Sequence, residues 1–374
     1  MRLAFFVHKF YPSIGGTQLL TYELSRRLSK LGYNVEVYTS LTENTEFYES
    51  LEGINIFRFP RIQLPLITYP WCLTPSMIKI LASDSMKHYD VIHSFGYITF
   101  QSLLASLIKM RFRIPLVITA QYHPWNGLYP KMLGKRILRL ADIVIAQCSW
   151  EREKLELITS REKIITIPVG IDKTEFEHLP SRNMLREELH IPDDTIIMLY
   201  IGAVTGHKRI SDFIKLFSRY LLKLNTTFLI LGKDAHKLKF HRLTRLLEKK
   251  RKIIIMSSPS RRDILKAYAA ADIYINTSQH ESFGISILEA AASGLPIVST
   301  NTGIALDIVS NGFNGYLCPA DDIREIVPAT IKALKNIHGL LKNAKIMRRS
   351  ILMKYDWHKV IGKYIKVYNE VYNI

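Results

Sequence analysis

Short runs rich in Val, Ile, Phe and Tyr recur along almost the whole chain, and each is followed by residues with helical spacing. LAFFV leads into TQLLTYELSRRLSKLG, where Leu20, Leu24, Leu28 and Leu31 form one helical stripe that Gly32 ends. NVEVYT, INIFRF, DVIHSF, PLVITA, DIVIAQ and KIITIP continue as short strands, with helices expected near 76–87, 99–110, 131–140 and 149–158. Runs that are apolar on both faces belong to a sheet covered on both sides, and the intervening helices provide the crossovers that parallel strands need. The predicted class is α/β, with parallel sheets sandwiched between helices.

The alternation pauses once. PVGIDKTEFEHLPSRN has turn formers and no clear period, after which the pattern restarts at TIIMLYIG and runs through TFLILG, KIIIMS, DIYINT and LPIVST. At 374 residues the chain is also longer than one hydrophobic core usually organises. Two doubly wound domains are therefore expected, 1–172 and 173–357, joined near 172–190. Ligands in such sheets bind beyond the carboxyl ends of the strands, and two facing domains place a cleft between them. Function is to be sought in strand-to-helix loops.

Composition narrows the classes. Hydrophobic residues are 48% and charged residues 22%, so disorder does not dominate. Cys72, Cys148 and Cys318 are odd in number and far apart, which fits a reducing, cytoplasmic setting better than disulfides or a zinc site. The opening MRLAFFVHKF has five apolar residues between Arg2 and His8, too few for a signal segment, and no later run reaches spanning length. A net charge of +18 favours anionic partners: nucleic acid, acidic headgroups or a phosphorylated substrate. HKLKFHRLTRLLEKKRK at 236–252 reads as one amphipathic helix with Leu238, Leu243, Leu246 and Leu247 inward and a wet basic face. No aromatic RNA-binding box, zinc-finger spacing or basic zipper accompanies it, so a nucleic-acid binder is motivated by charge alone.

Three loops could meet a phosphorylated ligand. In HKFYPSIGGTQ, Gly15 and Gly16 directly precede a helix, so backbone amides there can approach an anion; a plain tight turn is the competing reading. In YIGAVTGHKRISDF, Gly202 ends a strand, and Lys208 and Arg209 stand just before a helix. Cations oppose the helix dipole there, which suggests a compensating anion, although a solvated pair would look the same. The stretch reads G-x-x-x-G-H-K, which lacks the first spacing and the final Ser/Thr of a nucleotide-hydrolysing P-loop.

The third loop is ESFGISILEA. Glu281 falls before a helix ended by Gly294, with Ile285, Leu288 and Ala292 inward, and Glu289 lies more than a turn inside it. The amides near Gly284, Ile285 and Ser286 suit a diphosphate. An ionised carboxylate accepts two hydrogen bonds and can grip a vicinal diol, so the two glutamates suit the ribose and the sugar flanking that diphosphate. The competing reading is a helix-start charge for Glu281 and an exposed helical residue for Glu289.

These residues resemble the retaining family 4 glycosyltransferases of GT-B fold, in which two Rossmann-like domains face across a cleft. Their signature is a Glu, seven intervening residues and a second Glu, with Phe-Gly after the first; this chain has Glu281, Phe283, Gly284 and Glu289. LEAAASGLPIVSTNTG, NGFNGYLCPADD, Gly15-Gly16, DVIHS, IPVGID, YIG with Lys208, and the terminal YDWHKVIGKYIKVY resemble the family too, over nearly the full chain.

The resemblance implies that Glu289 binds the donor ribose, Glu281 lies against the donor sugar, and Lys208 with the amides of Phe283, Gly284, Ile285, Ser286 and Ile287 neutralises the diphosphate. Gly16 would approach that diphosphate from the amino-terminal domain. The C-terminal helix, 358–374, would return to that acceptor-binding domain, leaving 173–357 as the donor-binding one. The implied reaction is metal-independent transfer, with retention, from a nucleoside-diphosphate sugar to a glycan or lipid-linked acceptor, with no cofactor. The absence of any D-x-D triplet and of His/Cys clusters at ligand spacing also argues for no metal.

Two positions depart from the family: Ala203 stands where it usually has Arg, and Gln121 where it tends to have His. Arg209 or Lys233 is expected to supply the missing charge, and His123 is the nearest imidazole. These departures motivate the alternative of a catalytically silent nucleotide-sugar binding protein. Peripheral contact with an anionic membrane surface is motivated by IQLPLITYPWCLTPSMIKIL and by Lys131, Lys135, Arg136 and Arg139.

Overall fold

Strand pairing in the computed structural model, which describes residues 1–60, 75–124 and 128–373, produces two separate sheets. Contacts divide the chain into two units, Met1–Gly170 with His358–Ile374, and Ile171–Trp357.

The first unit holds β1 (Arg2–Val7), β2 (Asn34–Ser40), β3 (Tyr48–Leu51), β4 (Ile54–Phe59), β5 (Val91–Phe95), β6 (Leu116–Thr119), β7 (Ile143–Ala146) and β8 (Ile164–Thr166). Their order is β3-β4-β2-β1-β5-β6-β7-β8, parallel throughout except for the β3–β4 hairpin. YESL gave no strand signal because β3 is an edge strand that buries neither face. What makes it a strand is the turn: Glu52 and Gly53 both take positive φ, 48° and 79°, as a two-residue hairpin requires. β5, β6 and β7 are buried along their whole length, the result of helices on both faces.

The helix Trp357–Tyr372 belongs to this unit from His358 onward. Its Tyr368 hydroxyl lies 2.7 Å from His93 Nδ1, and His93 Nε2 lies 2.9 Å from Thr119 Oγ1. Burial pushes the His93 pKa down to about 3, so the ring that anchors this helix is neutral.

The second unit holds β9 (Ile196–Ile201), β10 (Thr226–Gly232), β11 (Ile253–Ser257), β12 (Ile273–Asn276), β13 (Ile297–Thr300) and β14 (Gly315–Cys318). The order is β11-β10-β9-β12-β13-β14, all parallel. β14 hides in the turn-rich NGFNGYLCPADD. A Cβ on Gly315 would lie 1.9 Å from the Ile297 carbonyl oxygen, so this strand reaches its partner through a glycine.

The basic stretch differs from expectation. A 3-10 segment, Ala235–Phe240, is followed by a helix, Arg242–Lys249, with His241 extended between them. Leu238 and Leu247 are both buried, yet nine residues at about 100° each would place them on opposite faces of one helix. The break at His241 resets the phase, and Leu246 ends 47% exposed instead of inward. Cys148 and Cys318 are both buried, while Cys72 and most of the IQLPLITYPWCLTPSMIKIL stretch lie outside the described residues. Among the described residues no helix is long and apolar enough to cross a membrane.

Candidate functional site

In the second sheet the chain moves outward from β9 to β10 and β11, then returns to place β12 on the other side of β9. The loops after β9 and β12 thus leave neighbouring strands at the carboxyl end of the sheet where the strand order reverses, the place where doubly wound sheets bind ligands. One carries Lys208, at the end of the 3-10 turn Gly206–Lys208; the other carries Glu281.

These two side chains meet. Lys208 Nζ donates to the Glu281 carboxylate, and Ser278 Oγ donates to the same oxygen at 2.8 Å. The loops are tied by backbone: the Gln279 amide donates to the His207 carbonyl at 2.7 Å, and the Thr277 hydroxyl donates to the Lys208 carbonyl. Burial alone would push the Glu281 carboxyl up, but Lys208, the Ser278 hydroxyl and nearby His207 outweigh it and hold the group below the ordinary carboxylate range.

Behind Glu281 the chain turns into the helix Ile285–Ala292. Gly284 caps it at φ 90°, a left-handed conformation in which a Cβ would also lie 2.7 Å from Ile287 Cδ1. The Ile287 amide closes onto the Gly284 carbonyl at 3.0 Å. The earlier amides, Gly284, Ile285 and Ser286, belong to the first turn, where no intrahelical partner exists. Phe283 is buried and its carbonyl accepts the Ile304 amide at 2.7 Å. Gly303, at φ 56°, backs this loop so closely that a Cβ would fall 2.3 Å from the Phe283 carbonyl oxygen and 2.9 Å from Glu281 Cβ.

Glu289 is 6% exposed, not a solvated helical residue. Its Oε1 accepts Arg261 Nη1 at 2.6 Å, and its Oε2 lies 3.0 Å from the Tyr268 hydroxyl, which also reaches the Ser286 carbonyl at 3.1 Å. Arg261 bonds Glu175 at 2.6 Å on its other side. Burial disfavours its charge, but the two carboxylates raise its pKa above the ordinary arginine value. Sequence reasoning missed Arg261 and Tyr268. The local signal near them, the Ser260–Asp263 capping box, marks a helix start and says nothing of a carboxylate 28 positions onward.

Other expected residues fall differently. The Arg209 guanidinium donates to the carbonyls of Ala320 at 2.6 Å and Thr277 at 3.3 Å, so its charge is committed to backbone. Lys208 finds its compensating anion inside the protein, in Glu281, and Asp212 stands in the first turn of the following helix. Gly202 packs against the next strand: a Cβ on Gly232 would lie 2.0 Å from its carbonyl oxygen. Ala203 and Lys233 are exposed. Among the described residues, no three His, Cys, Asp or Glu side chains gather as metal ligands.

In the first unit, Gly15 caps the helix Gly16–Lys30 in extended backbone, and Thr17 Oγ1 donates to Gln121 Oε1 at 2.8 Å. The loop after β6 therefore rests on the glycine turn after β1, with Gln121 held at φ 51°. His123 is exposed two residues further on.

Comparisons with known proteins match both halves. The family described as "Glycosyl transferases group 1" matches residues 181–361, and "Glycosyltransferase Family 4" matches 14–175. A relative named N-acetyl-alpha-D-glucosaminyl L-malate synthase, from Bacillus anthracis, is 22% identical, covering 96% of this chain and 95% of its own. A D-inositol 3-phosphate glycosyltransferase from Kineococcus radiotolerans is 25% identical over 77% of this chain and 73% of its own. Among solved structures, Anabaena HepE in complex with UDP-glucose superposes with TM-score 0.79 at 18% identity, covering 99% of this chain and 100% of that one. WaaG, a glycosyltransferase involved in lipopolysaccharide biosynthesis, gives TM-score 0.74 at 18% identity over 98% and 99%.

Proposed function

The chain belongs to the family 4 glycosyltransferases of GT-B fold, and from that premise we propose that it transfers a sugar, with retention of configuration, from a nucleoside-diphosphate sugar to a glycan or lipid-linked acceptor. The observation that carries this reading is the convergence of Lys208, Glu281 and the first amides of the Ile285–Ala292 helix at the carboxyl end of one sheet. Departure of a diphosphate builds negative charge on its oxygens. An ammonium group and helix-start amides stabilise that charge without a metal, because they are already oriented before reaction.

In this assignment Lys208 leaves Glu281 for the diphosphate. Phe283, Gly284, Ile285 and Ser286 present backbone around it, and Ile287 closes the turn that aims them. Glu281, released from Lys208, accepts from the donor sugar's hydroxyls. Glu289 grips the ribose, with Arg261 and Tyr268 orienting its carboxylate. This is not a two-carboxylate glycosidase arrangement, since Glu289 is assigned to the ribose. The acceptor's proton passes to the departing phosphate. In residues 1–170 the Gly15-Gly16 turn and His123 stand at the carboxyl ends of strands, and the acceptor is assigned to that unit.

The test is a thermal-shift panel of nucleoside diphosphates and their sugar conjugates. A ligand at a hundredfold excess over its Kd adds about 2.7 kcal/mol to stability, so a selective rise in melting temperature is expected. Glu289→Ala should lose most of that rise. A variant that responds like the natural protein would remove the ribose role.

A further inference from the structure

Two imidazoles flank the Lys208–Glu281 pair. His207 immediately precedes Lys208 in the turn after β9, and His280 immediately precedes Glu281 in the loop after β12. Their rings stack with centroids 4.9 Å apart and planes 20° from parallel. The backbone bond from Gln279 to the His207 carbonyl holds the two loops in that register.

His207 is half-buried, with Nδ1 3.2 Å from the Thr205 hydroxyl. Besides His280, the charged groups acting on it are Lys208 and Glu281. Burial and the Lys208 ammonium hold the ring below its ordinary pKa against the pull of Glu281, which favours its neutral form at pH 7.

The charge balance is short by one. Ala203 carries no charge and Arg209 is committed to two carbonyls, so a diphosphate bearing two negative charges meets the single Lys208 ammonium once that group leaves Glu281. We propose that His207, braced by stacking on His280, is the second cation of this site: it takes up a proton when the diphosphate enters, and donor affinity therefore depends on pH. This inference rests on the donor-site reading above. An entering anion both adds attraction at the ring and neutralises the Lys208 repulsion. An opposite charge within about 4–6 Å moves a pKa by about 1–3 units, enough to carry an imidazole across neutrality. The sign follows. The ring's pKa is higher with the diphosphate bound than without it, so binding is tightest in mild acid and weakens as pH rises through the pKa of the complex.

The experiment is calorimetric titration with UDP-, GDP- and ADP-glucose from pH 5.5 to 8.5, a range over which a sugar nucleotide's phosphates keep constant charge. Affinity should fall about 5- to 30-fold between pH 6 and 8, bounded by tenfold per pH unit for one proton. Titrations in buffers of different ionisation enthalpy should show uptake of up to one proton. H207Q, checked for folding by circular dichroism, should lose both the slope and the proton uptake. H207K should bind without pH dependence, because its charge is permanent there. If no sugar nucleotide binds at any pH, the donor-site reading itself fails. If binding occurs and the slope is absent, or survives in H207Q, that reading stands and the proton-linked role is overturned.

Discussion

Lys208→Met removes the ammonium group and keeps an unbranched stem, which isolates the charge of the Lys208–Glu281 pair. The side chains are 20% and 13% exposed, so the pair is mostly withdrawn from water. Stranding one partner of a fully buried pair costs about 3–5 kcal/mol. Here Ser278 still donates to Glu281 and some solvent reaches it, so about 2–3 kcal/mol is expected. For a unit the size of Ile171–Trp357, that corresponds to a fall of about 4–12 °C in melting temperature. Circular dichroism melts at pH 7 would measure it.

Adding Glu281→Gln should recover most of the loss, with a coupling energy of at least about 1 kcal/mol between the two positions. Acid provides an independent check. The Glu281 pKa is depressed in the folded state, so its stabilisation is present above the ordinary carboxylate range and disappears as pH falls through the native value. The gap between natural protein and K208M should narrow accordingly. A loss below about 0.5 kcal/mol, or a double variant no more stable than K208M, would refute the argument that this pair is energetically coupled.

Gly303→Ala places a Cβ against the Phe283 carbonyl at a positive φ, and should abolish nucleotide-dependent thermal shifts while far-ultraviolet circular dichroism stays native-like. Glu151 is fully buried and accepts the Tyr122 and Gln147 amides at 2.5 and 2.6 Å, yet burial pushes its pKa up to about 7. A carboxyl raised in the folded state makes stability fall as pH climbs from the unfolded value toward 7, here by about 3 kcal/mol. Glu151→Gln should flatten that decline in urea midpoints between pH 5 and 8, and an unchanged slope would remove Glu151 as its source.

Much of the fold was legible because burial on both faces of a parallel sheet writes itself into the sequence as short apolar runs. LAFFV, TIIMLYIG and DIYINT announce strands for that reason. β3 and β14 were not legible, since YESL is an edge and GYLC depends on one glycine fitting against Ile297. The two-leucine phase conflict across His241 was arithmetically present in the sequence, but nothing local says that Leu238 and Leu247 must both be buried.

The positions of Glu281, Lys208 and Glu289 relative to strand ends followed from the sequence alone, because turn and helix signals are local in the chain. Partner choice did not. That Lys208 turns to Glu281, that Arg209 turns to two carbonyls, that Arg261 and Tyr268 orient Glu289 and that His207 stacks on His280 are contacts made between separate loops or helices that are not adjacent in the sequence. Hydrophobic periodicity records which side of an element is dry. Which charge meets which depends on distances that exist only once the sheet order has brought β9 and β12 side by side.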